Sequence, residues 1–235
     1  SSAQAIKQGL STEGGLFVPE NFPKVELEEI VKLSEMSYNE RAYFVLEKFL
    51  TDFSEEDLRN CISSAYTKEK FGTDAIAPVY KLNNKVYFLE LWHGPTCAFK
   101  DMALQILPHF LTTSMRMTKE EKEIIILVAT SGDTGKAALE GFKDVNGTRI
   151  IVFYPNNGVS EIQKLQMITQ EGNNVGVAAV CGNFDDAQSG VKKIFTDEDY
   201  KAVLSNNKFK LSSANSINWG RLVPQIVYYF SAYAD

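Results

Sequence analysis

Apolar residues along the chain follow two regimes. Across residues 1–80 they recur at helical spacing: Leu27, Ile30, Val31 and Leu33 form one stripe, and Phe44, Val45, Leu46, Phe49 and Leu50 form a broader one. Ser54 stands before Glu55, Glu56 and Asp57, an N-cap followed by first-turn acids, and Leu58, Ile62 and Ala65 supply the buried side of that helix. Residues 14–19 (GGLFVP) read as a turn running into a short extended segment. After Pro78 the pattern changes: 86–91 (VYFLEL) is strand-like, 93–96 a loop, and a helix is predicted from near Lys100 into the 110s, with Pro108 interrupting it. Thr118 to Glu121 carries a capping-box signature that predicts a single capped turn before the next strand.

From residue 123 the alternation becomes regular. Strands are predicted over 123–129 (EIIILVA), 149–154 and 175–180, and helices over 134–143, 160–171, 185–195 and 197–206. Strand starts are 26 residues apart in both intervals, the length of a βαβ unit, so the strands run parallel with helices on their faces. A short segment at 209–211 leads into 212–218, and 219–234 reads as a last helix. The fold class is α/β: a parallel-sheet βαβ domain behind a helical N-terminal region.

Length and composition fit that picture. At roughly 150 residues per domain, 235 residues make one or two domains, and 44% apolar with 23% charged residues is ordinary for a globular chain. The net charge of −6 and a pI of about 5.1, without basic runs, argue against a nucleic-acid partner. No apolar run approaches the roughly 20 residues of a membrane span. Three widely spaced cysteines (Cys61, Cys97, Cys181) form no CxxC pair, and the start of the chain has no apolar signal segment, so reduced thiols in the cytoplasm are expected. With only His93 and His109 in the chain, no metal site is expected; His93 reads as a satisfied structural histidine.

In an open α/β sheet ligands sit beyond the carboxyl ends of the strands, which singles out four loops. The first, Thr130-Ser131-Gly132-Asp133-Thr134-Gly135-Lys136, has two glycines and two hydroxyl side chains at a helix start. It suits either an anion cradle or a plain strand-to-helix turn. It fits neither the Walker A spacing nor GxGxxG, since Thr130 and Ala137 stand where the former needs Gly and Ser/Thr. Lys100, flanked by Phe99 and Cys97, is either a partly desolvated amine suited to imine chemistry or a helix-start lysine with its tip in water. Asn215, Asn218 and Arg221 form either an anion clamp or a helix cap beside a surface arginine. Asp185 and Asp186 are an acidic first turn without chemistry.

Six segments, in this order, carry a resemblance through nearly the whole chain: GLFVPE at 15–20, HGPTCAFKDMA at 93–103, ATSGDTGKAA at 129–138, FYPNNGVSEIQKLQM at 153–167, GNFDDAQ at 182–188 and SANSINWGR at 213–221. Together they resemble the threonine synthases, pyridoxal-phosphate enzymes of the tryptophan-synthase-β-like group (fold type II). The resemblance implies that Lys100 is the Schiff-base lysine and that Asp133 and Thr134 approach the cofactor. It assigns Thr130, Ser131, Gly132, Asp133, Thr134 and Gly135 to the substrate carboxylate, and Asn215 and Arg221 to the substrate phosphate. Related enzymes often carry Asn in place of Asp133. The implied reaction turns O-phospho-L-homoserine and water into L-threonine and phosphate, in a monomer or homodimer. A phospho-lyase with the same cofactor, or a non-catalytic anion-binding module, are the alternatives. The implied domains are 1–80 (helical region), 81–110 (part of the large, lysine-bearing domain), 111–212 (small βαβ domain) and 213–235 (return to the large domain). In the family a glycine-rich loop for the cofactor phosphate and a further half-sheet follow, so the chain is expected to be truncated at its C-terminus and inactive alone.

Overall fold

The computed structural model describes residues 1–235. Its first part is helical: α1 (Ser2–Gln8), α2 (Leu27–Leu33), α3 (Tyr38–Leu46), α4 (Glu55–Ala65) and α5 (Lys68–Phe71). Ser1, Ser37, Ser54 and Thr67 each accept a hydrogen bond from the backbone N–H three residues on, satisfying donors that a helix start leaves open. Next, β1 (Val79–Lys81) and β2 (Tyr87–Leu89) pair antiparallel, with Tyr80 opposite Phe88. The helix predicted from Lys100 is two helices, α6 (Asp101–Leu104) and α7 (Leu107–Met117). The break falls just ahead of Pro108, which lacks an N–H and takes a position in the first turn of α7.

The second part alternates β3 (Glu123–Ala129), α8 (Asp133–Phe142), β4 (Thr148–Pro155), α9 (Glu161–Ile168) and β5 (Val175–Val180). It continues through α10 (Phe184–Thr196), α11 (Glu198–Asn206) and β6 (Phe209–Ser212), then α12 (Trp219–Leu222) and α13 (Pro224–Ala234). The sheet order is β5-β4-β3-β6, all parallel, so the short segment expected near 209 is a full member beside β3. The last helix is likewise split, because Pro224 restarts it.

Two expectations need correcting. The capped turn predicted at Thr118 is absent: Thr118 closes α7, its hydroxyl donating to the Ser114 carbonyl at 2.7 Å. Glu120, just beyond it, pairs instead with Lys7 at 3.1 Å and Lys210 at 3.2 Å. The helix expected over 160–171 stops at Ile168, although its Ser160/Gln163 capping box forms.

Strand alternation divides the core. Ile124, Ile126 and Val128 of β3 and Ile150, Val152 and Tyr154 of β4 face the large apolar cluster, which also holds residues of α1, α3, α4, α6, α7 and α8. Leu127 and Ala129 face the other way, onto Ala187 and Val191 of α10. Both faces are covered, which is why β3 reads as an unbroken apolar run. The end of the chain closes onto its beginning: Asn218 donates to the Ile6 carbonyl at 2.9 Å, and Arg41 donates to the Ser231 hydroxyl at 2.8 Å and pairs with Asp235 at 2.7 Å. No helix is long and apolar enough to cross a membrane.

Within α7, burial and then the charge of Lys70 lower the pKa of His109 to about 4. Folded His109 is therefore neutral while the unfolded side chain takes up a proton below about 6.5, so stability falls as pH drops from about 6.5 to about 4. Urea unfolding at the two ends of that window should differ by about 2 kcal/mol less in His109→Gln than in the parent. An equal difference in both proteins would show that His109 does not contribute.

Candidate functional site

Lys100 immediately precedes α6, and the loop before it is built around a carboxylate. Asp101 is fully buried and accepts two hydrogen bonds from Thr96, one from its backbone N–H at 2.8 Å and one from its hydroxyl at 2.7 Å. Burial pushes the Asp101 carboxyl above its ordinary range, and the Thr96 bonds and the Lys136 charge oppose that shift. The loop packs so tightly that a Cβ on Gly94 would lie 2.5 Å from the Asp101 side chain. Cys97 takes the left-handed conformation, with φ of 57°, to bring Lys100 round to the helix start.

Facing this loop is the turn between β3 and α8. The Thr130 hydroxyl points inward and accepts from the backbone N–H of Gly132 at 3.0 Å and of Gly135 at 2.9 Å, so it shapes the loop from within. Gly132 has φ of 141°, and a Cβ there would collide with the Gln163 side chain at 2.3 Å. Gly135 lies against Thr130, Val152 and Met167, the nearest at 2.5 Å from a built Cβ. Ser131 is exposed and Thr134 half-buried, and the Asp133 and Thr134 amides sit at helix positions with no intrahelical acceptor.

Asp133 joins the two halves. Its Oδ1 accepts from Gln163 at 2.8 Å and lies 3.4 Å from the Lys136 ammonium, while Oδ2 lies 3.7 Å from Lys100. Burial pushes Asp133 up, but the Gln163 hydrogen bond and the Lys136 and Lys100 charges outweigh it and hold the carboxyl below its ordinary range. Lys100, about one-fifth exposed and with its Nζ 4.1 Å from the Phe99 ring centre, is shifted downward. Burial is the main cause; Arg221 and Lys136 add to it and Asp133 resists. The water-exposed reading of Lys100 therefore fails.

Arg221 is 2% exposed, not a surface arginine. It donates to the Gln225 side chain, its Nε has no partner, and burial lowers its pKa to about 10, leaving it charged at neutral pH. Asn218 is a helix cap, accepting from the Gly220 N–H at 2.8 Å, whereas Asn215 donates to the Ala129 carbonyl at 3.1 Å, at the end of β3. His93 is satisfied by Glu90 at 2.7 Å. No cluster of three or more metal-ligating side chains forms, and all three cysteines are free. A cavity of about 640 Å³, between the loop after α1 and helix α11, is lined by none of these groups, so the chemistry rather than that cavity locates the site.

Thr96, Asp101, Lys136 and Gln163 were not singled out from the sequence as site residues. A faint signal existed for Lys136, a cation set among small residues on a helix that must pack (Gly135, Ala137, Ala138). Asp101 reads as any first-turn acid.

Fold and site together define an α/β chain with a lysine at the start of a helix facing a glycine-rich loop. Residues 1–66 match the sequence family described as the threonine synthase N terminus. The chain is 42% identical over 225 residues to the threonine synthase of Pseudomonas aeruginosa, covering 95% of this chain and 46% of that one. It is also 42% identical over 242 residues to human threonine synthase-like 1, covering 99% of this chain and 32% of the relative. The PLP-bound threonine synthase structure from Brucella melitensis superposes with a TM-score of 0.87 at 38% identity, over 100% of this chain and 49% of that one. The yeast threonine synthase structure gives 0.86 at 34% identity over 100% and 47%. The resemblance to the threonine synthases thus runs through the whole chain, which spans between about a third and a half of the length of these relatives.

Asp101→Asn should cost about 2 kcal/mol, because an amide nitrogen would replace one acceptor facing a Thr96 donor. Urea denaturation would show it; unchanged stability would mean that the carboxylate does not hold the loop.

Proposed function

We propose that this chain is the lysine-bearing part of a pyridoxal-phosphate-dependent threonine synthase, which converts O-phospho-L-homoserine and water to L-threonine and phosphate. One observation carries the reading: a largely desolvated amine, Lys100, faces the carboxyl end of a parallel strand with a buried arginine whose Nε is unpartnered. The group fits these residues. Lys136 and Arg221 both act electrostatically on Lys100, whose carboxylate partner is Asp133, a donor set for a phosphorylated, aldehyde-bearing ligand. Lys100, Asp133 and Thr134 would hold the cofactor, which when bound supplies an electron sink for carbanion chemistry.

The remaining steps belong to the chain. Burial keeps the Lys100 amine easier to deprotonate, as a group that takes and returns protons at substrate carbons must be. Asp133, held ionised, is its nearest anionic partner. Ser131, Thr134 and the open amides at the start of α8 would take the substrate carboxylate, with Thr130 and the glycines Gly132 and Gly135 setting the loop's shape. Arg221, with Asn215 beside the end of β3, would take the phosphate. In the same reading residues 111–212 are the small domain that closes over substrate, and the protein acts in the cytoplasm as a monomer or homodimer.

The test is a titration with pyridoxal phosphate followed by absorbance, on this chain and on one extended to the length of its relatives, each with Lys100→Ala. A band near the visible edge that borohydride quenches, with the added mass on Lys100 and none in the variant, is expected in at least the longer chain. Absence of any Lys100 adduct in both would overturn the assignment.

A further inference from the structure

We infer that Lys136 is a positioning residue for Lys100: it pins the Asp133 carboxylate to the Thr96 carbonyl, so that the Lys100 amine meets its one carboxylate partner in a fixed place. The inference deepens the reading above and rests on Lys100 as the reacting amine.

Lys136 is 8% exposed along its side chain, and lysines are seldom buried unless their ammonium is satisfied. Its Nζ donates to the Thr96 carbonyl at 2.8 Å and lies 3.4 Å from Asp133 Oδ1. Asp133 and Lys136 are three apart on α8 and share a helix face, so one rigid turn presents both. The carboxylate is divided: Oδ1 serves Lys136 and Gln163, leaving Oδ2 for Lys100 at 3.7 Å. Thr96 in turn is fixed by Asp101, the residue after Lys100. The contacts therefore close a ring through Asp133, Lys136, Thr96, Asp101 and Lys100, in which Lys136 donates to the backbone of the lysine loop and pairs with the carboxylate that Lys100 meets. Its charge also helps make the Lys100 amine easier to deprotonate, a secondary support.

The experiment is competitive acylation of the chain's lysines by acetic anhydride at pH 7 to 10, with the rate at Lys100 read by peptide mass spectrometry. Thermal unfolding is followed in parallel. In Lys136→Met, Asp133 is left to Lys100 alone and a neighbouring cation is gone, so Lys100 acylation at pH 8 should slow roughly fivefold. Lys136→Arg, which keeps the charge, should restore most of the rate. If Lys136→Met gives no cooperative melt, Lys136→Gln, which can still donate to Thr96, carries the same expectation. Unchanged acylation in the neutral variant, or equal slowing in the neutral and arginine variants, would leave Lys136 a merely structural residue and overturn the inference. Because no cofactor is involved, the slowing can appear in a chain whose Lys100 never takes pyridoxal phosphate; that pattern sinks the proposed function alone.

Discussion

Thr96 uses all three of its polar groups, and the site depends on how. Its N–H and hydroxyl donate to a fully buried carboxylate, Asp101, and its carbonyl accepts from a buried ammonium, Lys136. A buried charge without partners costs several kcal/mol, so neither Asp101 nor Lys136 tolerates a different loop. The hydrogen-bonding needs of two ions thus fix the backbone on which Lys100 stands. Gly94 is the steric counterpart: only the absence of a Cβ lets the loop lie this close to Asp101.

The sheet supplies the opposing wall. Parallel pairing of β3 with β4 and β6 brings the loops that follow β3, β4 and β6 to one edge, where Thr130 to Gly135, Gln163 and Asn215 meet. Helix α8 is held against α6 and the loop that leads into it. Lys136 grips Thr96 in that loop, and a Cβ on Gly141 would lie 2.1 Å from the Leu104 carbonyl oxygen of α6. Two such attachments leave little freedom for the helix start that carries Asp133. Precision at the amine therefore comes from helix packing some distance away.

Much of this was legible in the sequence, for reasons that differ by element. β3 was read to the residue because a strand buried on both faces shows an uninterrupted apolar run, and β5, a half-buried edge strand, because Val175 to Val180 is apolar throughout. The helices with Ser N-caps were placed well because capping is local chemistry. Thr118 misled because Thr followed three residues later by Glu is a cap only where a helix begins, and here the Thr118 hydroxyl instead donates back to the Ser114 carbonyl and closes α7. Arg221 and Lys136 were illegible for a related reason. Charge predicts exposure, and only tertiary packing shows that the surrounding apolar segments close over these two cations.

The charge distribution explains why those cations are tolerated. The chain carries a net −6, yet the charges of Lys136 and Arg221 both act on Lys100, where Asp133 is the opposing carboxylate. Like charges disfavour one another's ionised form, and the Lys136 and Arg221 charges both push the Lys100 amine toward its neutral form. Burial aggravates this, as the depressed Lys100 and Arg221 pKa values attest. Folding alone gains little from such an arrangement, since an apolar side chain in place of Arg221 would strand no Nε. A multiply charged anion entering beside Arg221 would relieve the repulsion and supply the missing acceptor. That reciprocity, in which the cations are costly without an anion and favourable with one, is what the proposed phosphorylated ligand would exploit.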